Sequence, residues 1–412
     1  MDLRVRTVTA LHPMSARGTA NRLRIVVLGY LVRCPLGGLA WHHLQYVMGL
    51  ARLGHDVLFV EDSGDHEWAC YNPKTHVTGP DPSFGLEFAA QTFHRLGLAE
   101  CWAYHDALTQ RWHGPATSRI DEAWRTADLL LNLSGSNVLR RAALNVPSRA
   151  YVDTDPAFTQ LRHLLDPARL AQAREHTSFF SFGENIGAPS CSIPDDGLSW
   201  QPTRQPVVLD AWPTSPGPLH GRLTTVMQWD DDSTLQGIPL THEGRRYGRK
   251  QASFGPYLSL PRAAHREMEL ALGGKSAPRA PLQENGWHLE DALAVTKDPW
   301  RYQDYIRASM AEFSIAKEAY VVSGSGWFSE RSAAYLAMGR PVVVQDTGFS
   351  TWLQCDAGVL RFSTPAEASS AIADLIARYE SHCKQAREIA EQYFSADRVL
   401  RELVDRALVR GG

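Results

Sequence analysis

The chain has no Cys-x-x-Cys pair, no run of about eighteen apolar residues, no basic excess and no low-complexity tract. Each absence removes a class. The six cysteines (Cys34, Cys70, Cys101, Cys191, Cys355 and Cys383) are scattered, so neither a metal cage nor a disulfide framework is expected, and a reducing cytoplasm fits. Without a long apolar run no membrane-spanning segment is expected. A formal net charge of −3 gives no basic footprint, so nucleic acid is not expected as a partner. Gly-x-Gly-x-x-Gly is missing from "GYLVRCPLGG", the loop after the first apolar run. Glu61 and Asp62, which end the second strand, are therefore not read as the ribose contact of a nicotinamide site.

What is present is a globular composition, 44% hydrophobic and 21% charged, over 412 residues, which suits two domains. Residues 1–22 are Arg-containing, lack an apolar signal core and are expected to form a disordered leader. "LRIVVLG" (23–29) is an apolar run closed by glycine, the pattern of a strand buried on both faces. A helix running to residue 53 follows and Gly54 stops it. Further strands are expected at 55–62, 127–135, 148–155 and 177–185. Residues 186–221 hold seven prolines and no sustained periodicity, which reads as an interdomain connection. Strands resume at 223–229, 319–324, 340–346 and 358–363. Thr364, Pro365 and Glu367 then open a helix with a capping box. An amphipathic helix closes the chain. Alternating strands and helices predict an α/β protein with parallel sheets. The expected division is a domain over 23–205, a second over 206–390, and a terminal helix over 391–412 that packs back on the first.

The stretch "SGSGWFSERSAAYLAMGRPVVVQDTGFS" (323–350) carries the chemistry. Ser323 to Trp327 is expected to leave the carboxyl end of strand 319–322, and Ser329 to cap a helix starting near Glu330, with Arg331 and Ser332 in its first turn. Free amides, a positive helix end and an arginine together make an anion site. Gly324 and Gly326 allow a ligand close to the backbone. Asp346, Thr347 and Gly348 leave the neighbouring strand with a carboxylate, a hydroxyl and a glycine, which suits a sugar. Elsewhere, "DTD" (153–155) is either a capped turn before Pro156, a metal-binding pair, or a site for the acceptor or a general base. Of His42 and His43, at most one can face a cleft. "HREME" (265–269) reads as a solvated helix face and "WDDD" (229–232) as a turn.

These segments resemble a known family. "GGLAWHHLQYVMGLARLGHDVLFVED" (37–62), "AAYLAMGRPVVVQD" and the closing stretch from "GVLRFS" to "SADRVL" look like GT-B glycosyltransferases of the retaining, family 4 kind. "SGWFSERSAAYLAMGRPVVVQDTGF" also resembles the C-terminal domain of spore-coat-type glycosyltransferases. The resemblance implies a GT-B fold, two Rossmann-like domains with parallel sheets facing a central cleft. It implies transfer of a sugar from a nucleotide-diphosphate sugar, the co-substrate, to a hydroxyl or amine on a small-molecule or glycan acceptor, with no cofactor and no metal.

By the same resemblance the donor-binding set is Gly37, Gly38, Arg246, Arg249, Lys250, Ser325, Gly326, Trp327, Ser329, Glu330, Arg331, Ser332, Asp346, Thr347 and Gly348. His42 falls where such proteins carry a histidine. The sequence also departs from the family. Its paired glutamates would fall at Gly326 and Ala334, and its strand-end histidine is replaced by Asp153 or Asp155. The catalytic expectation is therefore Asp153, Asp155 and His42. A sugar-nucleotide epimerase of the same fold, a phosphorylase, and a non-catalytic sugar-nucleotide-binding protein are the competing expectations.

Overall fold

A computed structural model describes residues 22–229 and 240–409. The expected leader, apart from residue 22, and the acidic turn at 230–232 lie outside these residues.

The apolar runs become parallel strands because both faces of each are covered. The first sheet is built from β1 (Arg24–Leu28), β2 (Asp56–Asp62), β5 (Trp102–Asp106), β6 (Arg111–His113), β7 (Leu129–Leu133), β8 (Ser148–Asp153), β9 (Ser178–Ser181) and β10 (Trp200–Pro202). Between β2 and β5 a small antiparallel hairpin pairs β3 (Cys70–Asn72) with β4 (Val77–Gly79). The sheet order is β10-β9-β8-β7-β1-β2-β5-β6, and β6 alone runs antiparallel to its neighbour. The second sheet has order β15-β14-β11-β16-β17-β18, all parallel. Its strands are β11 (Leu223–Gln228), β14 (Met268–Gly273), β15 (Trp287–Asp291), β16 (Ala311–Ser314), β17 (Val342–Gln345) and β18 (Val359–Phe362). Another antiparallel hairpin, β12 (Leu240–His242) with β13 (Arg245–Tyr247), stands beside it.

Counted along their parallel strands, the second sheet follows the doubly wound order 3-2-1-4-5-6 and the first follows the same order with a seventh strand added, 3-2-1-4-5-6-7. Strand order reverses between β1 and β7 in one and between β11 and β16 in the other. Those are the two places where such sheets open a crevice at their carboxyl edges.

Three expectations change. Residues 319–322 are not a strand but lie in the helix Glu318–Val322, and the sheet position belongs to β16. Residues 265–269 are not a helix face: His265 is a left-handed turn residue and Glu269 lies in β14. The 186–221 connection contains β10, which pairs in parallel with β9. It is also fastened to the second half, through Ser192 N–H on the Ser323 carbonyl (2.8 Å) and Val207 N–H on that of Phe394 (2.7 Å). The terminal helix Ala396–Leu408 packs Leu400 over Gly49 of the first helix, Gly37–Arg52.

Candidate active site

The first helix starts at Gly37, and Leu36 before it supplies no side-chain cap. The amide of Gly37 is satisfied from the other half of the molecule, by the carbonyl of Thr296 at 2.6 Å. Next to this crossing lies a cavity of about 910 Å³. One wall comes from the start of the first helix, including Gly38, Leu39, Trp41, His42 and Gln45. The other comes from the carboxyl ends of β11, β14 and β15, with Gln228, Gly273 to Lys275, and Asp291 to Leu293. Lys317, Glu330, Arg331 and Ala334 form a third side. The cavity therefore lies between the start of the first helix and the carboxyl ends of the second sheet's strands, an edge where open α/β sheets take ligands.

His42 is buried on this wall. Its Nδ1 is 2.7 Å from Gln205 Oε1, an amide oxygen that can only accept, so Nδ1 carries the proton. Nε2 is left as the lone-pair nitrogen and has no partner among the described residues. Burial lowers the pKa of His42, partly offset by the negative charge of Glu330 and by Gln205. His43 points elsewhere: its Nδ1 meets the Leu39 carbonyl at 2.8 Å and its Nε2 accepts from the Tyr30 amide at 3.3 Å.

Ser329 caps the helix Glu330–Ala337, its Oγ accepting from the Arg331 amide at 3.2 Å. Glu330 and Ala334, one turn apart, both face the cavity. Arg331 shows the cavity one edge, but its donors turn inward. Nε is 2.6 Å from Glu312 Oε1, Nη1 2.9 Å from the Val226 carbonyl and Nη2 2.8 Å from Ser314 Oγ. Glu312 is fully buried in β16, so this guanidinium balances an interior charge. Truncating Arg331 would leave Glu312 buried without its cation. Lys250 is half-buried and has no ion pair or hydrogen bond among the described residues. Burial, and then the positive charge of Arg331, push its pKa down to about 7.

The remaining expected residues lie apart from the cavity. Asp153 is fully buried and accepts from the Asp155 amide (2.9 Å), Thr159 Oγ1 (2.6 Å), Ser181 Oγ (2.7 Å) and Gln160 Nε2 (3.2 Å). It ties β8, β9 and the following turn together, with neither oxygen free for a substrate. Asp155 bridges the two halves through Lys317 Nζ (2.7 Å) and the hydroxyl of Tyr320, with Arg162 at 3.1 Å on its other oxygen. Although burial opposes it, this set of cations pulls its pKa down to about 2, which makes it a poor base. The two carboxylates of "DTD" thus serve different protein partners, not one ion.

The glycine loops form a clasp. Asn185 Nδ2 donates to the carbonyls of Gly324 and Gly348, both at 3.0 Å, and the Asn185 amide to that of Ser325 at 3.1 Å. Gly326 and Gly348 have φ of 73° and 93°, and a Cβ on either would strike Asn185. The Gly326 amide is taken by the Thr347 carbonyl and Thr347 Oγ1 by that of Trp327. Asp346 accepts from Gly348 N–H and Ser350 Oγ. These glycines serve domain contact, not ligand approach. Gly37, whose added Cβ would collide with the Asp298 carbonyl, is likewise held against the other half. Ser325 and Ser332 are buried away from the cavity, and Arg246 is exposed beside Glu318. Arg249 precedes Lys250 and does not line the cavity.

Sequence reasoning missed the β14 and β15 ends and Lys317. "MELALGGK" (268–275) offered the same signal as "LRIVVLG": an apolar run closed by glycine. Lys317 carried none, because its partner Asp155 is distant in sequence. Among the described residues no three His, Cys, Asp or Glu side chains converge as metal ligands would, and no helix is long and apolar enough to cross a membrane.

No protein-family description matches this chain, and no curated protein sequence does. Solved structures do. An α-glucosyltransferase in complex with UDP-glucose and DNA containing an abasic site superposes with a TM-score of 0.56 at 11% identity, covering 94% of this chain and all (100%) of that one. Anabaena HepE in complex with UDP and glucose gives 0.53 at 11% identity, covering 93% of this chain and 99% of its own. A glycosyltransferase from Rickettsia africae gives 0.50 at 10% identity, covering 95% and 100%. The fold is the GT-B fold, two Rossmann-like domains. The exclusion of nucleic acid is withdrawn, because a protein of this fold is seen bound to DNA. Net charge is a sum over the whole chain and does not report on local patches.

Proposed function

We propose that this protein transfers a glycosyl group from a nucleotide-diphosphate sugar to an acceptor hydroxyl, with both substrates meeting in the cavity between the domains. The observation that carries this reading is the cavity itself. It lies between the start of the first helix and the strand ends of the second sheet, and cationic side chains share its wall with a neutral histidine that has an unused lone pair. The neighbours of the same fold that hold UDP or UDP-glucose support a donor of that class.

In the proposed reaction the bond from the sugar's anomeric carbon to the diphosphate oxygen breaks, and its electron pair leaves with the diphosphate. Lys317 and Lys275 on the cavity wall stabilise that charge as it develops. The acceptor oxygen forms the new bond, and its proton passes to His42 Nε2. Asp153 and Asp155 take no part, since one is enclosed and the other is held ionised by its cations. The test incubates the protein with UDP-glucose and other nucleotide sugars against acceptor sets that include DNA, and measures nucleoside diphosphate release. Acceptor-dependent release from at least one donor is expected. Donor binding without release would leave a binding protein, and conversion of the donor with no acceptor present would identify an epimerase.

A further inference from the structure

Lys317 belongs to two places at once. Its side chain lines the cavity, and its Nζ lies 2.7 Å from Asp155 Oδ1 on the first domain, so the cavity wall and the interdomain bridge share one ammonium. The bridge has other holders. Asp155 Oδ1 also accepts from the Tyr320 hydroxyl, and Oδ2 from Arg162 Nη2 at 3.1 Å. Losing Lys317 would therefore not leave a bare carboxylate in the interface, the condition that makes most broken buried pairs costly. The Lys317 side chain is about one-third exposed (35%), and its ammonium rests near the Phe158 and Tyr320 rings, with centroids at 4.9 and 5.2 Å. It sits at the end of a flexible four-carbon stem. Among the cations at this end of the cavity, Arg331 is spent on Glu312, Val226 and Ser314. Lys317 is the one whose present partner can release it.

We infer that Lys317 is a ligand-captured latch: a diphosphate in the cavity draws its ammonium from Asp155, so donor binding and the interdomain bridge compete for one side chain. This rests on the nucleotide-sugar reading above. Two consequences follow by linkage. Removing the ammonium weakens diphosphate binding, and removing its competitor, the Asp155 charge, strengthens it.

Calorimetric titration with UDP, and separately with inorganic pyrophosphate, tests this on the full chain. Lys317→Met is expected to weaken UDP binding about ten-fold or more, and Lys317→Arg, which keeps the charge, to recover most of it. Asp155→Asn is expected to tighten UDP binding several-fold, and to have no such effect in the Lys317→Met background. Wild-type affinity in Lys317→Met, or tightening by Asp155→Asn that persists without Lys317, overturns the latch and leaves the nucleotide reading intact. If the wild type binds neither UDP nor pyrophosphate, the latch falls, and the nucleotide-sugar reading is decided by the donor screen above. Should Asp155→Asn fail to fold, the Met and Arg variants still decide.

Discussion

At the scale of single residues, partners decide what a side chain can do. Asp155 and His42 illustrate this in opposite directions. The carboxylate has the right chemistry for a base, but Lys317, Tyr320 and Arg162 stabilise its charged form until it has little affinity for a proton. The histidine has one nitrogen committed to Gln205 and the other unpaired. Burial lowers its pKa, so it stays neutral, the form able to take a proton, down to pH values below the ordinary 6.5. Replacing His42 by Asn is expected to cut turnover by about 10²-fold, the usual scale for a lost general base, while UDP affinity changes only a few-fold. The sign of the pH dependence follows. Turnover of the wild type should hold through neutrality and fall only as acid protonates His42 below 6.5. Burial sets that point, with Glu330 and Gln205 opposing it. A pH–rate profile checks it: an acid limb centred above 6.5, or one unchanged in the Asn variant, would assign the base elsewhere.

At the scale of elements, local pattern was readable and long-range compensation was not. Thr364 Oγ1 accepts from the Glu367 amide at 3.2 Å and Glu367 Oε2 accepts from that of Thr364 at 3.3 Å, the capping box that "TPAE" announces. "LRIVVLG" and "HDVLFVED" became β1 and β2 because an uninterrupted apolar run has no other place to go than a covered strand. "AEFS" (311–314) hid because Glu312 stands inside it, and the Arg331 that makes its burial tolerable comes from a later helix. "AYVV" drew the eye instead, yet it curls into a helical turn whose Ala319 amide bonds to Gly248 and whose Tyr320 reaches Asp155. The site was legible to the same degree. Gly38, His42, Glu330 and Arg331 could be read to the cavity, whereas the glycine loops at 324–326 and 348 gave the right residue type for the wrong reason. Their positive φ serves close contact with Asn185, as the next substitution should show. Asn185→Ala leaves the carbonyls of Gly324 and Gly348 without their shared donor and is expected to lower stability by about 2 kcal/mol. UDP affinity should stay within two-fold. Urea denaturation and calorimetry read the two quantities, and a large loss of affinity with stability intact would return these loops to the donor site.

At the scale of the molecule, two sheets need not mean two folding units. A single apolar cluster takes in Ile25 and Val27 of β1, Trp41 and Leu44 of the first helix, and Trp212 of the connection. It continues through Tyr302, Ile306 and Ala333 to Met338 of the second domain, then returns through Leu400 and Leu403 of the terminal helix. Interfaces between domains of one chain usually resemble transient protein–protein contacts, more polar than an obligate interface, which is why such domains tend to move separately. Here the crossing is a continuation of the core, and Trp212, among the largest fully buried side chains, lies in the seam between Trp41 and Tyr302. Polar contacts run alongside it: Gly37 to Thr296, Trp41 Nε1 to the Pro299 carbonyl at 2.7 Å, and the Asn185 clasp. Unfolding either sheet alone would expose its half of that cluster to water, at about 25 cal/mol for each Å² uncovered, with no compensating gain from the half left folded. The two domains should therefore unfold together. Differential scanning calorimetry of the full chain is expected to give one transition whose calorimetric and van't Hoff enthalpies agree, the signature of a single cooperative unit. Trp212→Ala should lower that transition by several kcal/mol, the range for deleting a buried tryptophan, without splitting it. Two resolved transitions in the wild type would mean that the seam contributes less than its apolar continuity implies, and that each domain is stable on its own.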